Sequence, residues 1–95
     1  MARRRYLIAY DISDDKRLRR VVSVMKRFGQ RLQYSVFVCD LSGAERATWE
    51  VEIRAVVNLG QDSIVTIDLG PQGAAAPIRW LGTPRTLPTS GPTIV

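Results

Sequence analysis

The fold is decided by one stretch near the N-terminus, Tyr6-Leu7-Ile8-Ala9-Tyr10-Asp11-Ile12-Ser13-Asp14-Asp15. Residues 6–12 are aliphatic or aromatic except for Asp11, which predicts a β-strand that is buried on both faces. Because side chains alternate along a strand, Asp11 shares a face with Leu7 and Ala9. A carboxylate on an apolar face needs a cation, a cluster of hydrogen-bond donors or a metal, unless its side chain caps the following turn.

An amphipathic helix is predicted directly after this strand. Ser13 is the expected N-cap, followed by Asp14 and Asp15 in the first turn, where the helix dipole favours acidic residues. Gly29 is expected to end the helix at the C′ position. The apolar stripe of this helix consists of Leu18, Val21, Val22, Met25 and Phe28.

The next segments predict two strands and a second helix. Residues 31–41 favour two short antiparallel strands that turn near Tyr34-Ser35. Ser42-Gly43-Ala44-Glu45 fits a capping box, so a helix is expected from there to about Leu59, with Gly60 as its stop.

The remainder of the chain predicts one long strand, one short strand and a tail. Residues 63–69 alternate as a strand that Gly70-Pro71 closes, and residues 78–81 predict a further short strand. The resulting order, βαββαβ with an extra C-terminal strand and tail, predicts an α+β, ferredoxin-like domain over residues 1–82. Residues 83–95 form a Pro-rich tail whose apolar end, Thr93-Ile94-Val95, we expect to dock.

One face of the predicted sheet is apolar, and no further element of the chain remains to cover it. A small domain hides such a face by self-association, so we expect a twofold homodimer. The chain has 95 residues and no apolar run long enough to cross a membrane, and we expect a soluble, cytoplasmic protein.

The reactive residue types exclude several kinds of site. The sequence contains one cysteine, Cys39, and no histidine. A disulfide framework, a Ser-His-Asp site and an ordinary zinc site are therefore excluded. Any metal bound here would be a hard cation held by oxygen ligands.

The net charge of +5 is unevenly distributed along the chain. Residues 1–31 carry ten Lys/Arg against three Asp, whereas residues 32–95 carry four Arg against six acidic residues. This cationic pole predicts a polyanionic partner, although a solvated charged face is the alternative. The candidate nucleic-acid-binding residues on the first helix are Lys16, Arg17, Arg19, Arg20, Lys26 and Arg27.

Two motifs together resemble the CRISPR-associated protein 2 family. The first is Tyr10-Asp11-Ile12-Ser13-Asp14-Asp15-Lys16-Arg17, and the second is Arg31-Leu32-Gln33-Tyr34-Ser35-Val36-Phe37. The resemblance extends to about Leu81. It departs from the family at Cys39, which stands where a glycine is often found and which we interpret as a small packed side chain.

The resemblance implies a homodimer in which the two Asp11 carboxylates face each other across the axis and hold magnesium. Some members of the family are described as metal-dependent endonucleases on RNA or duplex DNA, and their pattern implies catalytic roles for Asp11, Tyr10, Arg20, Arg31 and Phe37. The family also implies a role in spacer acquisition, in which the dimer binds duplex DNA and bridges dimers of the CRISPR-associated protein 1 integrase. Single-stranded RNA is a further expected ligand.

Other functions stay open on sequence grounds. A non-catalytic scaffold would need only the cationic surface, and a toxin-type ribonuclease of the virulence-associated protein D group shares the fold. A ferredoxin-like RNA-binding module is disfavoured, because the chain lacks that module's aromatic K/R-G-F/Y motif.

Overall fold

The computed structural model describes residues 2–83, which form a four-stranded antiparallel sheet with two helices on one face. The elements are β1 (Arg4–Asp11), α1 (Asp15–Phe28), β2 (Gln30–Gln33), β3 (Val36–Leu41), α2 (Gly43–Val56), β4 (Ser63–Pro71) and a 3₁₀ turn (Gln72–Ala74). The strand order is β2-β3-β1-β4, which is the predicted ferredoxin-like arrangement.

The alternation predicted for β1 is confirmed, but its burial on both faces is wrong for a single chain. Tyr6, Ile8 and Tyr10 are buried against the helices. On the opposite face Leu7 and Ala9 are only half-buried, and Asp11 is exposed. The difference arises because both helices pack on the same side of the sheet.

The start and end of α1 differ from the prediction. Asp14, not Ser13, is the N-cap, and its carboxylate accepts the backbone N–H of Arg17 at 2.9 Å. Ser13 instead directs its own N–H and hydroxyl to Asp62, at 3.1 and 3.2 Å. Gly29 is the C-cap in an extended conformation, with φ −164°, rather than a left-handed C′ residue.

Gly29 is required by close approach. A Cβ at this position would lie 3.0 Å from the carbonyl carbon of Val38 and nearer still to its oxygen and to the Cys39 sulfur. The helix therefore passes directly into β2, which lies against β3.

The turn between β2 and β3 and the start of α2 agree with the prediction. Ser42 and Glu45 form the capping box, with reciprocal hydrogen bonds of 3.1 and 2.8 Å. The helix ends earlier than predicted, with Val57 and not Gly60 as its C-cap. It ends there because Asn58 begins a turn, in which its carbonyl accepts the N–H groups of Gln61 and Asp62.

The C-terminal part of the described chain contains two corrections. β4 continues through Gly70 to Pro71, because both residues pair with the start of β1 after a bulge. Residues 78–81 are not a strand, since no strand of the sheet pairs with them and a strand needs a neighbouring ladder. The predicted docking of the tail lies outside the described residues.

The core lies between the sheet and the two helices. Phe37, Ile8, Met25 and Val21 are fully buried, and the Trp49 indole N–H contacts the Met25 sulfur at 3.2 Å. Cys39 is also fully buried, as its interpretation as a packed side chain requires, and burial raises the pKa of its thiol to about 12. No helix within residues 2–83 is long and apolar enough to cross a membrane.

Candidate functional site

Asp11 ends β1 and lies on the face of the sheet that the helices leave uncovered. It is exposed and stands opposite Ser63 of β4 in the strand register. Within the described part of the chain, no group of three His, Cys, Asp or Glu side chains could hold a metal ion. Magnesium accepts one or two carboxylates and completes its shell with water. Asp11 is therefore one possible carboxylate ligand for such an ion.

The surface beside Asp11 is apolar, and we call it the open face: Leu7, Ala9, Val65 and Ile67. Val65 and Ile67 are 51% and 46% exposed. They pair across the strands with Ala9 and Leu7, so the four side chains form a continuous patch. A contiguous exposed apolar patch of this kind is typical of an interaction surface.

The other face of the sheet, at the same end, holds a compact group that we call the Arg31 cluster: Tyr10, Arg31, Tyr34 and Phe37. The Arg31 guanidinium lies over the rings of Tyr34 and Phe37, at 5.6 and 5.5 Å from their centroids. The Tyr10 and Phe37 rings are 6.2 Å apart. These distances are within the range of cation–π and aromatic contacts.

Tyr10 links this cluster to the turn between β2 and β3. Its hydroxyl donates to the carbonyl oxygen of Tyr34 at 3.2 Å. Burial raises the pKa of Tyr10, an effect that a hydrogen bond from Arg31 opposes. The Nε atom of Arg31 is buried without a hydrogen-bond partner among the described residues.

The structure brings together three of the five predicted catalytic residues, namely Tyr10, Arg31 and Phe37. Asp11 follows Tyr10 but points to the open face, and Arg20 lies on the exposed outer surface of α1. Phe37 is fully buried, so it can act only through the residues that it supports. Sequence reasoning missed Tyr34, whose signal was an aromatic residue at a turn, where polar residues are usual.

Arg17 has a partner within the chain. Its Nε donates to Asp62 at 2.8 Å, and the Asp62 side chain is only 1% exposed. Asp62 also accepts the N–H groups of Ser13 and Asn58, and the Arg17 hydrogen bond holds the pKa of this carboxyl well below its usual range. Arg17 therefore ties the start of α1 to the loop before β4. No sequence signal pointed to Asp62.

Several other cations near the N-terminus are also ion-paired. Arg27 contacts Glu52, and the pairs Arg3–Glu45, Arg4–Asp68 and Arg5–Asp40 are 2.8 to 2.9 Å long. Four predicted nucleic-acid-binding residues remain exposed with no carboxylate partner among residues 2–83, and we call them the free cation row: Lys16, Arg19, Arg20 and Lys26. The first three line a groove that Ser23, Val24 and Val56 complete.

A match to the family model for CRISPR associated protein Cas2 covers residues 4–75, from the start of β1 to just past the 3₁₀ turn. The chain belongs to the Cas2 family. The match contains Asp11, the Arg31 cluster and the free cation row.

Curated relatives of this chain are named as CRISPR-associated nucleases. The chain is 41% identical over 66 residues to an endoribonuclease Cas2 of Rhodospirillum rubrum, a match that covers 70% of this chain and 65% of that protein. It is 39% identical to an endoribonuclease Cas2 of Geobacter sulfurreducens, with 70% of each chain covered. A Thermus thermophilus relative with 41% identity, matched over 67% of this chain and 71% of its own length, is named an endonuclease.

Solved structures show the same fold. The hypothetical protein TT1823 from Thermus thermophilus has a TM-score of 0.76 and 33% identity, and the match covers 86% of this chain and 94% of that one. Streptococcus pyogenes Cas2 has a TM-score of 0.62 and 31% identity, with coverage of 66% and 82%. The α+β ferredoxin-like prediction and the predicted family are thereby confirmed.

Proposed function

We propose that this protein is a homodimeric, magnesium-dependent endonuclease that acts in CRISPR spacer acquisition in the cytoplasm. The observation that carries the proposal is the exposed Asp11 carboxylate at the end of the apolar open face. Family membership and the nuclease names of the relatives support the reaction class.

The dimer follows from the open face. Full burial of a Val or Ile side chain contributes about 1.5–3 kcal/mol, and Val65 and Ile67 are each half exposed in one chain. A twofold axis brings the same patch of both copies together, so the burial free energy of each residue contributes twice, once from each copy. Because Asp11 borders the patch, the same association brings two carboxylates close to one another.

Two such carboxylates are a suitable oxygen donor set for magnesium. The bound ion would offset the charge that develops on a phosphodiester and orient an attacking water. Asp11 of each copy would hold it. The chain contains no histidine to act as a general base, so we expect slow cleavage.

The protein's own cations would position the substrate. The free cation row, Lys16, Arg19, Arg20 and Lys26, offers charge to phosphates without first breaking an internal ion pair. Its ligands in our proposal are duplex DNA and single-stranded RNA. The CRISPR-associated protein 1 integrase is the proposed protein partner, and the support for it is family membership alone.

The test is cleavage of end-labelled RNA and duplex DNA by purified wild-type protein, with magnesium and with a chelator, beside light scattering at micromolar concentration. We expect a dimer that cleaves at least one substrate only when magnesium is present. A monomer would contradict the proposed assembly. A dimer that binds duplex DNA but cleaves nothing would favour the scaffold function, for which the free cation row would suffice.

A further inference from the structure

We propose that Tyr34 is a stacking platform for an unpaired base of a nucleic acid, an inference that rests on the proposed function. Tyr34 is 72% exposed, in the turn between β2 and β3. An exposed aromatic ring offers a large, flat apolar surface on which another ring can stack. The Arg31 guanidinium covers the ring at 5.6 Å, and most of the remaining ring surface faces solvent.

The turn that carries Tyr34 is anchored through its backbone, and the Tyr34 ring itself contacts Arg31. The Tyr34 carbonyl accepts the Tyr10 hydroxyl at 3.2 Å, and the next carbonyl, of Ser35, accepts the Tyr10 N–H at 3.1 Å. Arg31 is itself packed on the fully buried Phe37. A ring that is ordered before binding loses little conformational freedom when a base stacks on it.

The position of Tyr34 fits a nucleic-acid ligand. The hydrogen bond from Tyr10 places the turn at the end of the sheet where β1 reaches Asp11. Helix α1 begins at the same end, four residues after β1, and carries Lys16 and Arg19 in its first turns. Aromatic rings flanked by cations are the features with which proteins hold single-stranded nucleic acids without reading their sequence.

The inference also predicts a preference. Bases within a duplex are already stacked and paired, so only an unpaired base gains from Tyr34. Loss of one base–aromatic stack should weaken binding of single strands about tenfold or more and leave duplex binding unchanged. The ligand is RNA or DNA with at least one unpaired base. Separate binding measurements with an RNA and a DNA oligonucleotide show which of the two is preferred.

The experiment measures the Kd of a short RNA, a single-stranded DNA of the same sequence and the blunt DNA duplex. The proteins are the wild type, Tyr34→Phe and Tyr34→Leu, with Val51→Ala as the control because Val51 is 70% exposed on α2. We expect weaker single-strand binding only for Tyr34→Leu, with duplex binding retained. A base analogue, 2-aminopurine, in the single strand should lose fluorescence on binding the wild type and Tyr34→Phe but not Tyr34→Leu.

The results that would overturn the inference differ from those that would refute the proposed nuclease. Unchanged single-strand binding by Tyr34→Leu would overturn it, and so would an equal loss for duplex and single strands, which would mean that Tyr34 only supports Arg31. If Tyr34→Leu fails to fold, the absence of 2-aminopurine quenching by the wild type would overturn it. If the wild type quenches 2-aminopurine but cleaves nothing, the proposed nuclease is refuted and the stacking site is retained. If it cleaves without quenching, the stacking site is refuted and the nuclease is retained.

Discussion

Truncation of Phe37 to alanine should lower the stability of the fold, and it should lower nuclease activity only because less of the protein is folded. Phe37 is fully buried, pairs across the strands with Ile8 and Arg31, and lies under the Arg31 guanidinium at 5.5 Å. Phe→Ala in a core costs about 3–5 kcal/mol. We expect the upper end of this range, because Arg31 would lose a ring while its Nε already lacks a partner among the described residues.

This cost is large for so small a domain. At about 0.05–0.15 kcal/mol per residue, a chain of 95 residues is stable by roughly 5–14 kcal/mol. Urea unfolding should therefore show that Phe37→Ala removes a third or more of the stability. Phe37→Leu keeps most of the volume and should cost about 1.5 kcal/mol or less.

Nuclease activity per folded molecule separates this account from a direct catalytic role. Phe37→Leu should retain cleavage. Val51→Ala, at a site that is 70% exposed, should change neither the free energy of unfolding nor the cleavage rate. If Phe37→Ala unfolds at the wild-type urea concentration yet loses cleavage, Phe37 contacts the substrate and the reasoning is refuted.

Three further results are expected. Gly29→Ala should destabilise the domain by about 1–3 kcal/mol in urea, because its Cβ would overlap the backbone of β3. The double variant Arg20→Ala and Lys26→Ala should reduce the log–log salt slope of duplex binding by about 2, one phosphate contact per cation. Hydrogen bonds from Arg3 and from the Ser42 backbone N–H lower the pKa of Glu45 from 4.5 to about 2, so the contribution of Glu45 to stability is present above pH 4.5 and is lost as the pH falls toward 2. Glu45→Gln should therefore flatten that part of the acid-unfolding profile.

The chain provides controls for these results. Gly73→Ala introduces a Cβ with nothing within 4 Å and should leave stability unchanged. Arg54→Ala removes an exposed cation that pairs with Glu50 on α2, and the salt slope should stay at the wild-type value. The prediction for Gly29 would be contradicted if both glycine variants were equally destabilised. Equal salt slopes for the two cation variants would contradict the prediction for Arg20 and Lys26, and an unaltered acid-unfolding profile of Glu45→Gln would contradict the prediction for Glu45.

The order of elements was predictable because each carries a local periodicity. The two-residue alternation of β1 and the apolar stripe of α1 are each contained within one element, and the Ser42–Glu45 capping box lies within four residues. The helix cap was mispredicted because Ser13 and Asp14 are both good caps, and a contact with Asp62 decides between them. Such a contact depends on the tertiary fold and leaves no local pattern.

The candidate site was predictable only in part for the same reason. The predicted phosphate-binding role of Arg17 is untested, but its ion pair joins residues 45 positions apart, and alternation along the chain could not reveal it. The motif led to Arg31 and Phe37, whereas their separation from Asp11 by the sheet follows from the strand register. The proposed burial of the open face involves a second copy, and the side-chain pattern of one chain does not encode how two copies meet.

The most direct test of the central claim compares Asp11→Asn with the wild type in magnesium-dependent cleavage and duplex binding. Asparagine keeps the shape of the side chain and a hydrogen-bond acceptor but removes the charge that magnesium needs. We predict that cleavage is lost while duplex affinity, the dimer and the fold are retained. Cleavage by Asp11→Asn at the wild-type rate, in a preparation shown to be free of contaminating nuclease, would contradict the assignment of Asp11 as the metal ligand.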